Sequence, residues 1–361
     1  MSDSPHQDIE TLCAAAEQYG ASDLLLHEGR PPQLRLNGQL TAIEFPVLTA
    51  GFFDSLWAAC NAEPDARDFD SSFTAASGTR FRVNLLRQLG LKAAVLRRIR
   101  RDIPVLDSLG LPSELLQGWF GQKSGMVLVC GPTGSGKSTT LAAALEWMNS
   151  TLARHVVTIE DPIEYLFTSR NCLFTQREVG LDTASFAEGL RRSLRQNPDV
   201  IFVGEIRDAL TAMTAIQASE TGHLVMATVH SSNCVDAVER LQLFFPTAER
   251  DAVRRTLSSQ LLGILCQRLL PSTAGGVALA AEYFSNVGVI RKYIAEGKSV
   301  ELLDAMAKGD ARETRNFLSS LAQLVKAGQV TEEIASAAAD NPQELQRALR
   351  GISSAAQSTR R

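Results

Sequence analysis

The sequence predicts an α/β protein in which a small α+β unit precedes a domain built on a parallel sheet. Three observations carry that prediction. The first hundred residues alternate polar and apolar side chains in short runs around one helical stretch. From Leu106 onward, unbroken apolar runs at Met126–Cys130, Val156–Ile159, Val200–Val203 and Leu224–Val229 alternate with helical stretches at Ser138–Met148, Ser185–Arg195 and Ala209–Glu220. Buried parallel strands read as such continuous runs, and the spacing suits strand–helix–strand crossovers. Finally, 361 residues are enough for two or three domains, each with its own core.

Within the first unit, Thr11–Tyr19 has helical spacing and stops at Gly20. Leu34–Leu40 carries Asn37-Gly38 between strand-like flanks, which predicts a tight hairpin. Thr79–Arg87 places Phe81, Val83 and Leu85 on one face and Arg80, Arg82 and Asn84 on the other. A break at Gln88–Leu91 leads to a second strand, Lys92–Ile99. Arg100–Pro104 reads as charged linker, its proline disfavouring helix in the residue before it. We therefore expect residues 1–100 as one domain, 101–106 as linker and 107–270 as the core of the second. After Pro246 the chain reads as helix-rich through Ala327, so 271–330 is expected to be a helical region. Residues 331–361, rich in Ala, Ser, Gln and Arg, are expected to form a polar, flexible tail. No internal repeat is seen.

Composition excludes several classes. Charged residues are 21% and apolar ones 45%, which argues against disorder or a coiled-coil rod. A net charge of −4 gives no global attraction to nucleic acid. Arginines do cluster at Arg97–Arg101, at Arg191, Arg192 and Arg195, and at Arg254 and Arg255. Most of them read as solvated faces; no aromatic residues interleave them, so no nucleic-acid partner is expected. The runs Met126–Cys130 and Leu261–Leu270 are too short to span a bilayer, and Met1–Glu10 has no signal-peptide pattern, so a cytoplasmic protein is expected. The six cysteines contain no close pair, which excludes a zinc ribbon and leaves them as buried apolar residues.

The strongest chemical signal is the run Gly131, Pro132, Thr133, Gly134, Ser135, Gly136, Lys137, Ser138, a complete GxxxxGK[ST] phosphate-binding loop followed by Thr139. It follows an apolar run and opens a helical one, as the motif requires. Its glycines let backbone N–H groups turn towards phosphates, and the helix N-terminus adds partial positive charge. Lys137 is placed for the β- and γ-phosphates and Ser138 for Mg²⁺. ATP or GTP is the expected ligand.

Three other apolar runs end in polar groups: Glu160, Asp161 and Glu164 after the second, Glu205 after the third, and His230 after the fourth, with His223 just ahead of it. In an open parallel sheet, ligands bind outside the carboxyl ends of the strands, so these groups are expected to converge on the loop. Glu205 fits a Walker B acid near Mg²⁺, and one of Glu160, Asp161 and Glu164 is expected to orient or deprotonate the attacking water. His223 and His230 read as γ-phosphate sensors or interface donors. Arg82 and Arg97 lie within strands of the first domain, where a charge needs a partner, and an ATP phosphate would serve.

Taken together, Gly131–Thr140, Thr158–Tyr165, Gln176–Gly180, Asn197–Asp208 and Glu220–His230 resemble the Walker A, Asp box, Walker B and His box of the secretion and pilus ATPase superfamily. Gly20–Leu24, Pro31–Gly38 and Arg80–Asn84 resemble its N-terminal domain. Within the superfamily the chain is most similar to the type IV pilus retraction ATPases, the PilT-like branch. It starts almost at the N-terminal domain and lacks the tetracysteine insertion of the assembly and type II secretion motors. The resemblance implies a PAS-like N-terminal domain, a RecA-like P-loop ATPase core with a helical C-terminal region, and a homohexameric ring holding ATP between the two domains. It implies Lys137 and Ser138 on phosphate and Mg²⁺, Glu205 as the Walker B acid, and Glu164 as the water-activating base. It also implies His223 and His230 in a nucleotide-responsive box and Arg82 and Arg97 on the phosphates. The implied partner is an inner-membrane pilus platform protein, at the inner face of the cytoplasmic membrane, turned so that pilin subunits return to the membrane.

One stretch departs from that pattern. Where retraction motors carry Ala-Ile-Arg-Asn-Leu-Ile, this chain has Val289-Ile-Arg-Lys-Tyr-Ile294, keeping Arg291 and the isoleucines. A pilus assembly or type II secretion motor, or an accessory or regulatory ATP-binding paralogue, are the alternative readings.

Overall fold

The computed structural model describes residues 5–36, 38–99, 101–310 and 312–350. The chain divides into two compact units, the first comprising Met1–Arg101 with Pro162–Leu166, the second Asp102–Asp161 with Phe167–Arg361.

In the first unit, α1 (Pro5–Gln18), β1 (Asp23–His27), β2 (Gln33–Leu36), β3 (Gln39–Ala42), α2 (Ala50–Ala59), β4 (Asp68–Thr74), β5 (Arg80–Gln88) and β6 (Leu91–Arg98) follow in order. The strands form an antiparallel sheet in the order β3-β2-β1-β6-β5-β4. Strict alternation decides its faces. Leu24, Leu96 and Val83 stand opposite one another and pack under Leu12 and Cys13 of α1 and Phe53 and Trp57 of α2. Asp23, Arg97 and Arg82 occupy the next register positions and so share the other face. β2 and β3 pair from Leu36↔Gln39, although Asn37 of the expected hairpin turn, like Arg100 of the expected linker, lies outside the described residues.

The second unit contains α3 (Ser113–Phe120), β7 (Gly125–Cys130), α4 (Lys137–Thr151), β8 (His155–Glu160), β9 (Leu173–Glu178), α5 (Phe186–Ser193), β10 (Val200–Val203), α6 (Ala209–Glu220), β11 (Leu224–Val229), α7 (Cys234–Leu243) and α8 (Thr247–Gln260). It continues with β12 (Leu261–Pro271), β13 (Val277–Ser285), α9 (Gly288–Glu296), α10 (Ser299–Lys308), β14 (Thr314–Arg315), α11 (Phe317–Lys326), α12 (Glu332–Ala338) and α13 (Pro342–Leu349). The sheet order is β14-β13-β12-β7-β11-β10-β8-β9, parallel from β12 through β9. Every residue of β7, β10 and β11 is buried, because both faces are covered. Val127, Val129 and Met226 meet Leu141, Leu145 and Met148 of α4 and Phe120 of α3, while Leu128, Val225 and Ile201 meet Ala215 and Ile216 of α6 and Leu190 of α5. A Leu128→Ala truncation in such a two-sided core costs about 2–5 kcal/mol.

Two expectations are corrected here. The region after Pro246 is not helical alone: β12 and β13 pair antiparallel over Gly263↔Ser285 to Pro271↔Val277 and extend the sheet across residue 270. Tertiary pairing overrides the weak strand propensity of Val277–Ser285, which is rich in alanine. Residues 331–350 are not a flexible tail either, since α12 and α13 are capped by Thr331, which accepts from the Ile334 N–H, and by Asn341, which accepts from the Gln343 and Glu344 N–H groups. Ala335 and Leu345 are buried against the core. Residues 351–361 of that expected tail lie outside the described residues.

Candidate nucleotide site at the carboxyl edge of the parallel sheet

Strand β7 delivers Gly131 to the loop Gly131–Gly136, and Lys137, Ser138 and Thr139 form the first turn of α4. Gly131, Gly134 and Gly136 have φ of 143°, 79° and 90°, which L side chains rarely adopt. A β-carbon on Gly131 would also press into Ser135 Oγ and the Gln267 carbonyl. Gly136 caps α4 without any side-chain hydrogen bond, so the helix presents its first N–H groups and partial positive charge to whatever fills the loop. Lys137 is 9% exposed, and its Nζ donates to the carbonyls of Gly131 and Pro132 at 2.9 Å each. Ser135 Oγ is buried with no hydrogen-bond partner. An uncapped helix start, a buried ammonium and an orphaned hydroxyl together fit a ligand with several anionic oxygens.

The neighbouring strands bring three acids and a histidine to the same edge. β7, β11, β10 and β8 lie side by side with Cys130↔Val229, Ala227↔Val203 and Val203↔Ile159 in register. The turn after β10 is pinned on both sides: the Gly204 N–H donates to the Ile159 carbonyl at 2.7 Å, and the Ile206 N–H to the Thr228 carbonyl at 3.0 Å. Between these anchors stands Glu205, whose side chain is 14% exposed. Its Oε1 lies 3.1 Å from His230 Nε2, and its Oε2 accepts from Arg207 Nε at 2.6 Å. Arg207 also reaches Asp161 at 3.5 Å. Ser138 and Glu205 supply hydroxyl and carboxylate oxygens, the hard donors Mg²⁺ prefers, and Mg²⁺ takes few protein ligands. Among the described residues no cluster of three or more His, Cys, Asp or Glu side chains is arranged to hold a metal by itself.

Other expected site residues are placed elsewhere. His223 precedes β11, and its strand of six residues separates it from His230 by about 20 Å along the sheet. It is held at the opposite, amino edge, with Nδ1 3.0 Å from the Ala218 carbonyl and 3.2 Å from Thr221 Oγ1. The expectation that His223 converges on the phosphate loop with His230 is corrected, because it stands before β11 and not after it. Glu160 stands at the carboxyl edge but is 6% exposed, with Oε1 accepting from Thr158 at 2.7 Å and Gln176 at 3.3 Å. Glu164 lies on Pro162–Leu166, which belongs to the first unit, and is exposed. Arg82 and Arg97 also belong to the first unit and find partners there. Arg97 Nε donates to Asp23 Oδ1 at 2.7 Å, and Arg82 lies 3.9 Å from Asp70. The partner that such a charge needs is therefore present within the first unit: Asp23, 5% exposed, is matched by Arg97 and by Arg35 at 3.8 Å.

The cysteines are free thiols, all buried. Burial pushes Cys13 and Cys266 up to about 12 and Cys60 to about 11, and raises Cys130 and Cys234 strongly, so they are inert apolar packing.

Compared with known proteins, residues 64–355 match the family described as type II/IV secretion system protein. The chain belongs to that family. This type II/IV secretion system protein is 38% identical over 344 residues to the type IV pilus retraction ATPase PilT of Pseudomonas aeruginosa, covering 94% of this chain and 100% of that one. It is 37% identical over 346 residues to the type IV pilus ATPase PilU of the same organism, covering 94% and 90%. Among solved structures, the pilus retraction motor PilT with bound ADP superposes with a TM-score of 0.87 at 40% identity, covering 94% of this chain and 99% of that one.

For a type II/IV secretion system protein read from sequence alone, two contributors to the site are hard to see. Arg207 ties Glu205 to Asp161, and its signal is only its place two residues after Glu205. Gln267 donates to Thr140 at 2.8 Å and presents its carbonyl beside Gly131, yet nothing in the apolar run around it marks it.

Proposed function

We propose that this ATPase assembles as a homohexamer and couples ATP hydrolysis to type IV pilus retraction, returning pilin subunits to the membrane and so driving twitching motility. The observation that carries the reading is the Glu205–His230 pair on the strands beside an open phosphate loop, in a chain alike to a retraction ATPase over that protein's whole length. On this reading the first unit is PAS-like and the second RecA-like.

The loop N–H groups and Lys137 hold the β- and γ-phosphates, and the Lys137 ammonium exchanges its two carbonyl acceptors for phosphate oxygens. Ser138 and Glu205 would hold Mg²⁺, which would supply positive charge to stabilise the negative charge developing on the phosphates. Glu164 takes a proton from the attacking water while its oxygen bonds to the γ-phosphorus and ADP departs with the bridging oxygen. His230, hydrogen-bonded to Glu205, senses the γ-phosphate, and His223 serves as an interface donor between subunits. The moving partner is an inner-membrane platform protein, met at the inner face of the cytoplasmic membrane. No helix among the described residues is long and apolar enough to cross a membrane.

A second reading rests on the near-equal identity to PilT and PilU: a type IV pilus ATPase working beside a principal motor, which the altered Val289–Ile294 stretch also suits. One experiment separates the readings. Cells carrying Glu205→Gln at the native locus are scored for surface pili and for pilus-driven movement. More pili without movement supports retraction. Bald cells would reverse the direction of the motor, and unchanged cells would support the accessory role.

A further inference from the structure

The loop that carries His230 is held from behind by two strands and by the last helices of the chain. Ser231, Ser232 and Asn233 separate His230 from the start of α7 at Cys234. Cys266 on β12 donates its thiol to the Ser231 carbonyl at 3.6 Å, and Glu282 on β13 accepts the Cys234 N–H at 2.7 Å. Between them Arg268 on β12 donates Nη2 to the Ser232 carbonyl at 3.0 Å. The same guanidinium reaches the other way. Its Nη1 donates to the Ala338 carbonyl at 2.7 Å, its Nη2 meets both Asp340 carboxylate oxygens at 3.0 and 3.3 Å, and its Cζ lies over the Phe317 ring, 4.0 Å from the centroid.

We propose that Arg268 is a positioning residue for the nucleotide site, tying the segment Ala338–Asp340 between α12 and α13 to the backbone two residues beyond His230. The proposal rests on the reading of Glu205 and His230 as part of an ATP-hydrolysing site. Its physical basis is the arginine fork. Only a planar group with several fixed donors can serve Ser232, Ala338 and Asp340 at once while stacking on Phe317; a lysine offers one nitrogen and no plane. The Arg268 side chain is 16% exposed and its bond to the Ala338 carbonyl is half-buried, whereas Asp340 is 72% exposed and its pairing is weakened by water. Losing it leaves the Ser232 and Ala338 carbonyls without their donor, and the cheapest relief is a shift of the loop towards water. A shift on the order of 1 Å at a residue that touches the reacting groups is enough to slow chemistry severely. Glu282 reinforces the link, because its second oxygen accepts the Phe317 N–H at 3.2 Å, so one carboxylate caps both α7 and α11. The C-terminal helices, which contribute no group to the phosphate loop, thereby form part of the frame that sets His230 against Glu205.

The test compares full-length wild type with Arg268→Ala, Arg268→Lys and Asp340→Ala. Three quantities are read: ATP turnover, affinity for a non-hydrolysable ATP analogue, and amide hydrogen exchange over residues 231–236. Arg268→Ala is expected to lower kcat on the order of tenfold, to leave analogue affinity within about twofold, and to speed exchange at the Cys234 and Asp236 amides. Arg268→Lys recovers only part of the loss. Asp340→Ala shows the same pattern at smaller amplitude and carries the test if Arg268→Ala does not fold. In a His230→Ala background the arginine substitution adds nothing to the loss. Unchanged exchange in both Arg268→Ala and Asp340→Ala overturns the proposal, as does a kcat loss that adds fully to that of His230→Ala. Absence of turnover in wild type falls on the ATPase reading alone, and the exchange rates then decide the tie by themselves.

Discussion

Glu205 Oε1 lies 3.1 Å from His230 Nε2, joining the ends of two adjacent parallel strands. Arg207 grips the other oxygen at 2.6 Å, so the carboxylate is fixed on both sides before any ligand arrives. Glu205→Gln keeps the shape but removes the charge that Mg²⁺ and Arg207 require. Analogue binding should survive and turnover should fall on the order of 100-fold, measured by phosphate release from the purified protein. Equal turnover in the two proteins would remove Glu205 from the mechanism.

Lys137 makes the opposite prediction. Its ammonium is buried among loop carbonyls that a phosphate would replace, so Lys137→Ala should lose binding itself rather than turnover alone. A buried charge-assisted contact of this kind is worth about 3 kcal/mol, roughly a 100-fold change in Kd. Titration with a fluorescent ATP analogue reads it directly. Retained affinity would mean that the uncapped start of α4 binds phosphate without the lysine.

How much of this was legible depended on whether local chemistry or tertiary pairing decided the outcome. The phosphate loop was legible because three backbone turns with positive φ demand glycine at Gly131, Gly134 and Gly136. Val200–Val203 and Leu224–Val229 were legible because strands covered on both faces have no solvent-facing positions. The run Leu261–Leu270 has the same look, yet without a flanking helix pattern it was absorbed into a helical region; its partner β13 is alanine-rich and becomes a strand only by pairing. The ends of α12 and α13 were hidden by a polar composition, although Thr331 and Asn341-Pro342 are ordinary start signals. The partner of Arg97 is hidden because Asp23 lies 74 residues away and meets it only through strand register. His223 is placed by chain order: a residue that precedes a parallel strand stands at the amino edge, and His223 precedes Leu224–Val229.

Gly263 tests packing where no charge is involved. A β-carbon there would run into the indole of Trp119, which is 6% exposed and anchored by its Nε1–H to Ser285 Oγ at 3.2 Å. The position also sits where the register between β12 and β7 shifts. Backbone on one side and a pinned ring on the other leave little room to yield, so Gly263→Ala should cost about 1–3 kcal/mol. Urea denaturation reads this as a lower midpoint at constant slope. An unchanged midpoint would show that the Trp119 ring can move aside.

Glu282 supplies a pH signature. Burial at 5% exposure raises its pKa above the ordinary carboxylate value, outweighing the two backbone N–H groups and the nearby Arg268 that favour the anion. The folded state therefore holds this proton at pH values where the unfolded chain has released it. Between the unfolded and folded pKa values the native state binds more protons, so stability falls as pH rises, by at most about 1.4 kcal/mol per pH unit for one proton. The stabilising contribution is complete below the unfolded value, near 4.5, and is lost as pH climbs through the raised folded value. Cys234 and Cys266 face the carboxylate but are themselves raised far above this window, and the Arg268 guanidinium keeps its charge throughout. Glu282→Gln cannot titrate. Denaturation curves collected upward from pH 4.5 should show the wild type losing stability relative to Glu282→Gln as pH rises. A difference that stayed flat, or grew in the wild type's favour, would mean that the two helix N-termini hold the anion more strongly than burial opposes it.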